Sequence, residues 1–81
     1  MFYTYILESE ANPGEFYGGH SDDLKRRLAE HNAGKCPHTS KCKPWQVKFY
    51  AAFETLELAR EFEQYLKGGP GHAFAKKHFG L

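Results

Sequence analysis

Phe2-Tyr3-Thr4-Tyr5-Ile6-Leu7 is the stretch on which the fold turns. β-Branched and aromatic residues dominate it, and both alternating sets of positions are apolar, as in a strand covered on both faces. Asn12-Pro13-Gly14 supplies a turn, and Glu15-Phe16-Tyr17-Gly18 returns as a second strand. The opening therefore reads as a hairpin with a long polar loop, with Tyr5 and Tyr17 on paired strands. Sequence leaves the register of that pair open.

Outward from the hairpin, Ser21 is expected to cap a helix that runs to about Ala33 and stops at Gly34, with Asp22 and Asp23 where the helix dipole favours negative charge. Leu24, Leu28 and His31 fall on one stripe, and Arg27 lies at its edge. Arg27 and His31 thus become neighbours one turn apart, facing half the core and half a cleft. Lys35 to Pro44 reads as a polar loop. Trp45 to Phe53 alternates as a third strand, with Trp45, Val47, Phe49 and Phe53 expected on one face. Thr55 can cap a second helix through about Lys67, apolar at Leu56, Leu58, Ala59, Phe62, Tyr65 and Leu66. Glu63 falls inside that arc, whereas Glu57 and Glu61 point away from it. Gly68-Gly69-Pro70-Gly71 is expected to break the helix, leaving His72 to Phe79 as a short amphipathic tail with Lys76 and Lys77. The order β-β-α-β-α-α predicts an α+β fold, a small three-stranded sheet with helices packed on it.

A chain of 81 residues is expected to form a single domain, residues 1–81, with one core. Seven phenylalanines, five tyrosines and a tryptophan can fill that core where aliphatics alone would not. No apolar run approaches the roughly 20 residues a bilayer span needs, and the start lacks the pattern of a secretory signal. The expected location is cytoplasmic, with no membrane partner. Cys36 and Cys42 are too few for a disulfide framework and read as free thiols. Together with His38 they lack regular zinc spacing and a fourth ligand. The net charge is only +1, but the segment from His20 to Lys48 carries Lys25, Arg26, Arg27, Lys35, Lys41, Lys43 and Lys48 against Asp22, Asp23 and Glu30. One positive face suited to a polyanion follows, as does the plainer reading of a solvated basic loop.

Tyr5, Tyr17, Arg27, His31 and Glu63 are the residues that carry chemistry. Two phenols, a guanidinium, an imidazole and a carboxylate can hold a phosphodiester, activate water and recruit a divalent metal. Singly each has a plain explanation: strand tyrosines pack cores, and Glu63 can pair with Lys67 one turn on. His20, at the end of the second strand, is a candidate for proton transfer. Gly68-Gly69-Pro70-Gly71 has no preceding strand and no Lys-Ser or Lys-Thr after it, which argues against a nucleotide-binding loop.

As a set, these residues resemble the GIY-YIG nucleases, and above all their small stand-alone bacterial members, similar to the N-terminal nuclease domain of the bacterial excision-repair endonuclease. Tyr3-Thr4-Tyr5-Ile6-Leu7 stands in place of the first motif and Phe16-Tyr17-Gly18-Gly19 in place of the second. Asp23-Leu24-Lys25-Arg26-Arg27-Leu28-Ala29-Glu30-His31-Asn32 resembles the arginine helix that follows. Lys43-Pro44-Trp45 and Ala59-Arg60-Glu61-Phe62-Glu63-Gln64-Tyr65-Leu66-Lys67 complete a likeness covering almost the whole chain. It implies a three-stranded antiparallel sheet flanked by helices and a metal-dependent phosphodiester hydrolase. Tyr5, Tyr17, Arg27, His31 and Glu63 match the family's catalytic positions, with Tyr17 the first choice for the phenol that handles water. Glu63 would hold one divalent ion, Mg2+ or Mn2+. Three departures stand out: Tyr3 and Thr4 replace a glycine and an isoleucine, Gly18 replaces an isoleucine, and no asparagine follows Asn32.

The first expectation is a structure-selective DNA endonuclease of repair or processing, with RNA left open as a substrate and a repair protein as a candidate partner. Lys25, Arg26, Lys41 and Lys43 are the expected nucleic-acid contacts. The alternatives are a nucleic-acid-binding module without turnover, and a protein-interaction domain that recruits a larger repair enzyme.

Overall fold

Two antiparallel pairings assemble the sheet. In the computed structural model, which describes residues 1–80, strand β1 (Phe2–Ser9) lies between β2 (Phe16–Ser21) and β3 (Trp45–Phe53). Leu81, counted in the expected domain, lies outside the described residues. Helix α1 is Leu24–Asn32, α2 Leu56–Lys67 and α3 Gly69–Phe79, with a single 3-10 turn at Ser40–Cys42. The three-stranded antiparallel α+β fold and its element order are as expected.

The central strand has no solvent face, because successive side chains point into different cores. Tyr5 and Leu7 pack with Trp45, Tyr17, Leu24, Leu28 and Val47 beneath α1. Ile6 points the opposite way, to Leu66 of α2, Ala75 of α3, and the rings of Phe49, Phe62 and Phe79. On the same side the Thr4 hydroxyl donates to the Ala59 carbonyl of α2 at 2.5 Å.

Strand β3 corrects the expectation that Trp45, Val47, Phe49 and Phe53 share a face. Ile6 pairs with Phe49 but Leu7 pairs with Val47, so Lys48 is the extra residue of a β-bulge. One inserted residue reverses the parity of everything beyond it. Trp45 and Val47 accordingly join the α1 core, while Phe49 and Phe53 contact Phe62 of α2. One strand thus supplies both cores.

The helix ends also differ from expectation. Asp23, not Ser21, caps α1: its carboxylate accepts the Arg26 N–H at 3.0 Å, while the Ser21 hydroxyl accepts the Asp23 N–H at 3.1 Å. Either residue type can cap, and the strand runs on through Ser21, so the choice falls two residues later. On α2 the buried face is narrower than expected. Ala59, Glu63 and Leu66 are buried, whereas Leu56, Leu58 and Tyr65 are exposed. The glycine-rich segment breaks the helix as expected, but α3 begins at Gly69 rather than His72. Gly68 ends α2 and caps α3, and Pro70 sits in the first turn, where its missing N–H costs nothing. A Cβ at Gly71 would fall 1.7 Å from the Tyr65 carbonyl oxygen, so only glycine lets α3 close on the end of α2.

The segment between α1 and β3 is pinned at several points. The Asn32 side chain accepts from the Trp45 N–H at 2.5 Å and donates to the Trp45 carbonyl at 3.1 Å. Trp45 in turn donates its indole N–H to the Thr39 carbonyl at 2.8 Å, holding Thr39 over the end of α1.

Candidate active site

Strand β2 is a sheet edge, and its register with β1 decides which site residue faces which helix. Leu7 opposes Tyr17, Ile6 opposes Gly18, Tyr5 opposes Gly19 and Thr4 opposes His20. Directly opposed residues of an antiparallel pair share a face. Tyr17 therefore lies with Tyr5 on the α1 side, and His20 with Thr4 on the α2 side. Gly19 is required by this arrangement: a Cβ there would stand 2.6 Å from the Tyr5 hydroxyl oxygen and 2.8 Å from Cζ. The Tyr5 ring occupies the space a side chain would take.

On the α1 side, Tyr5 is 1% exposed and His31 0%, so His31 is wholly interior rather than half in a cleft as expected. The Tyr5 hydroxyl lies 3.0 Å from His31 Nε2, and His31 Nδ1 lies 2.8 Å from Thr39 Oγ1. Thr39 donates its own proton to the Cys36 carbonyl at 3.3 Å, which leaves its oxygen to accept from Nδ1–H. His31 Nε2 is then an acceptor, and Tyr5 donates to it. Burial, assisted by the charge of Arg27, keeps the His31 pKa below its ordinary value against the opposing pull of Glu30. Burial likewise raises the Tyr5 pKa, although hydrogen bonding and charge from Arg27 pull it down. The chain Tyr5–His31–Thr39 is neutral and its proton positions are fixed. The Tyr17 ring packs against His31, centroids 5.1 Å apart at 61°, and stays half-buried.

Glu63 lies on the α2 side, 8% exposed. His20 Nδ1 approaches one carboxylate oxygen at 2.5 Å, and Lys67 Nζ donates to the other at 2.6 Å. Burial pushes the carboxyl pKa up, but hydrogen bonds and charge from Lys67 and His20 outweigh it, and the net shift is downward. Glu63 is thus an ionised carboxylate, and Nδ1 of His20 carries the donated hydrogen. Among the described residues no group of three or more His, Cys, Asp or Glu side chains could cage a metal. A lone carboxylate does fit Mg2+ or Mn2+, which bind through one or two carboxylates and otherwise take water and phosphate oxygens. Lys67, half-exposed, is free to swing away from the oxygen it now covers.

Arg27 stands between the two sides. Its guanidinium donates to Glu30 at 3.0 Å, and that bond, with hydrogen bonding and charge from Tyr5, raises its pKa further above the ordinary arginine value. Arg27 and His20 line the same surface depression beside Ser21 and Glu30. His20 therefore touches Glu63 on one side and shares a hollow with Arg27 on the other. Among the expected nucleic-acid contacts, Lys25, Lys41 and Lys43 are exposed, and Arg26 is engaged with Asp22 at 2.7 Å. Sequence reading missed Thr39, which sets the His31 tautomer. Nothing local marks this threonine, because its role follows from a loop that Asn32 and Trp45 tie down from a distance.

Comparison with known proteins gives the family of the chain. The family model described as the GIY-YIG catalytic domain matches residues 1–72. The UPF0213 protein of Listeria welshimeri is 38% identical over 66 residues, covering 80% of this chain and 71% of that protein. The UPF0213 protein of Lacticaseibacillus paracasei is 36% identical over 72 residues, covering 88% and 79%. One from Streptococcus pyogenes is 38% identical over 66 residues, covering 80% and 70%. No helix among the described residues is long and apolar enough to cross a membrane. Matched over most of its length, the chain belongs to the GIY-YIG family of nuclease domains.

Proposed function

We propose that residues 1–81 form a single domain that acts as a metal-dependent endonuclease on DNA phosphodiesters, selecting its substrate by structure in repair or processing. The observation that carries this reading is the position of His20, bonded to Glu63 and lining one hollow with Arg27 at the β2 edge. A phosphate in that hollow would meet a guanidinium from the α1 side and a carboxylate-held cation from the α2 side. Arg27 would neutralise charge building on phosphorus. The divalent ion, when bound at Glu63, would supply further charge stabilisation at a phosphate or leaving oxygen.

In-line displacement needs the attacking water and the leaving oxygen on opposite sides of phosphorus. Tyr17 and His20 lie on opposite faces of β2 and suit those two places. Tyr17, the more accessible of the two phenols, orients the water, whose proton passes to solvent as the new P–O bond forms. His20, held through Nδ1–H by Glu63, would in its doubly protonated form give the Nε2 proton to the oxygen released as the old P–O bond breaks, and be left as the neutral imidazole. Tyr5 and His31 are sealed from solvent, and act by fixing Arg27 and the Tyr17 ring. Theirs is a positioning role.

A cleavage panel of single-stranded, nicked, branched and duplex DNA, with a matched RNA, tests the proposal in Mg2+, Mn2+ or chelator. The expected result is metal-dependent cleavage that differs among the structures. Binding without cleavage under every condition would replace the enzyme with a binding module.

A further inference from the structure

Between the sheet and helices α2 and α3 lies a cleft of about 540 Å3, within the usual size of small-ligand sites. Ile6 and Gly18 form its floor, and Leu66 and Ala75 its walls. Phe16 stands at the mouth with about a third of its surface exposed. Lys67, His72 and Lys76 line it as well, the last two one turn apart on α3. The single carboxylate is Glu63, already held by Lys67 and His20.

Gly18 is what keeps the cleft open. It pairs with Ile6, so a side chain there would project toward α2 and α3. A Cβ would meet nothing nearer than the Tyr5 carbonyl oxygen at 3.8 Å, so steric room does not demand the glycine. An aliphatic residue in this strand would pack against Ile6 and fill the space. An apolar hollow with an aromatic at its lip and cationic groups around it suits a flat ring attached to an anion.

We propose that this cleft receives the nucleobase adjoining the phosphate that Arg27 and the cation at Glu63 would hold. The base lies on Ile6 and Gly18 near the Phe16 ring, and Lys76 faces the next phosphate. A paired base cannot enter such a hollow, so the substrate carries an unpaired nucleotide at the site of cleavage. The identity of the polymer rests on the nuclease reading; the fit of a base to the cleft does not.

The test uses isotope-labelled protein in Mg2+ with probes that carry no phosphodiester, so that no turnover is involved. Thymidine 5′-monophosphate is titrated against 2-deoxyribose 5-phosphate and inorganic phosphate, and backbone amide shifts are followed. The expected result is saturable shifts at Ile6, Gly18, Leu66 and Ala75 with the nucleotide alone. Gly18→Ile, a good strand residue, should weaken that binding about tenfold or more. Gly18→Ala should weaken it less, and its single methyl guards against a folding defect in the larger variant. Equal shifts with the baseless sugar phosphate, or parental affinity in both variants, would overturn the proposal. Cleavage of DNA by the parent without base-dependent shifts sinks the cleft and leaves the nuclease. Base-dependent shifts without cleavage of any strand do the reverse.

Discussion

On the α1 face, Tyr5, His31 and Thr39 form a chain of neutral hydrogen bonds closed off from solvent, whereas on the α2 face Glu63 carries its charge at the wall of an open cleft, gripped by His20 and Lys67. The first arrangement fixes geometry without burying charge. The second bears a desolvation cost, offset by two charge-assisted hydrogen bonds, in order to keep an anion near the surface. Strand β2 separates them, and its glycines serve the two sides differently: Gly19 admits the Tyr5 ring, and Gly18 leaves the cleft empty. The contrast divides orientation from charge, and it predicts that the two faces fail in different ways.

The largest effects should come from the charged side. Glu63→Gln keeps the shape and one of the two hydrogen bonds but removes the charge, and should cut metal-dependent cleavage by about 10³-fold. DNA binding in chelator should be retained or slightly tighter, since one repelling charge has gone. Arg27→Ala should lose cleavage on the same scale with little change in melting temperature. Glu61→Gln, on the exposed face of α2, should change neither. Parental cleavage by both Glu63→Gln and Arg27→Ala would dissolve the distinction between the faces.

The neutral chain should fail through stability. Tyr5→Phe keeps the ring but leaves His31 Nε2 buried without a partner, a cost of about 1–3 kcal/mol. Thr39→Val strands Nδ1–H in the same way and should cost a similar amount. The double variant should fall short of the summed losses, because both changes act on one imidazole. Denaturant unfolding of the four proteins measures that coupling. Full additivity would mean that the three residues are not one network.

Acidification sharpens the same contrast. His31 has a folded pKa below its ordinary 6.5, so as pH falls through 6.5 the unfolded chain takes up a proton that the folded chain refuses. Stability should therefore decline from about pH 6.5 until the lower folded value is reached. Glu63, whose pKa is also depressed, contributes stability above the ordinary carboxylate range and loses it only at lower pH, as the folded carboxyl protonates. Two acid phases should appear in unfolding free energy against pH. His31→Gln should remove the upper one alone. An upper phase that survives this change belongs to another group.

The legible part of the molecule was whatever repeats locally. Period-two and helical patterns located the three strands and the three α-helices, and the odd position of Glu63 within the apolar arc of α2 was visible because a carboxylate there breaks the pattern. The bulge at Lys48 was not, since one extra residue leaves the alternation of exposed and covered side chains along β3 unchanged while moving it to the other face. The depth of His31 and the service of Thr39 were also hidden. Both depend on the loop between α1 and β3 folding back under the Asn32 clamp, a contact between distant residues that no local period encodes.

The smallest expected effects lie on the rim, where Lys41 and Lys43 project from that loop. They are exposed and outside every ion pair among the described residues, so their charges are available to a polyanion and cost little to remove. Each phosphate contact contributes about 0.7 to 0.9 to the slope of log affinity against log salt, the lower figure applying to single strands. If both lysines touch phosphates, Lys41→Ala with Lys43→Ala should flatten that slope by about 1.5, with an unchanged melting temperature. Affinity should fall at low salt and converge with the parent's as salt rises, because only the counterion-release part is lost. Cleavage at saturating DNA should stay within a few-fold of the parent, since neither residue lines the hollow of Arg27 and His20. Neutralising Glu57 and Glu61 on α2 to glutamine, a charge change of equal size and opposite sign, is the control for general electrostatics. A slope unchanged by the lysine pair would leave phosphate binding to Lys25 on α1 and to Lys76 and Lys77 on α3, and take the path of the strand off the loop between α1 and β3.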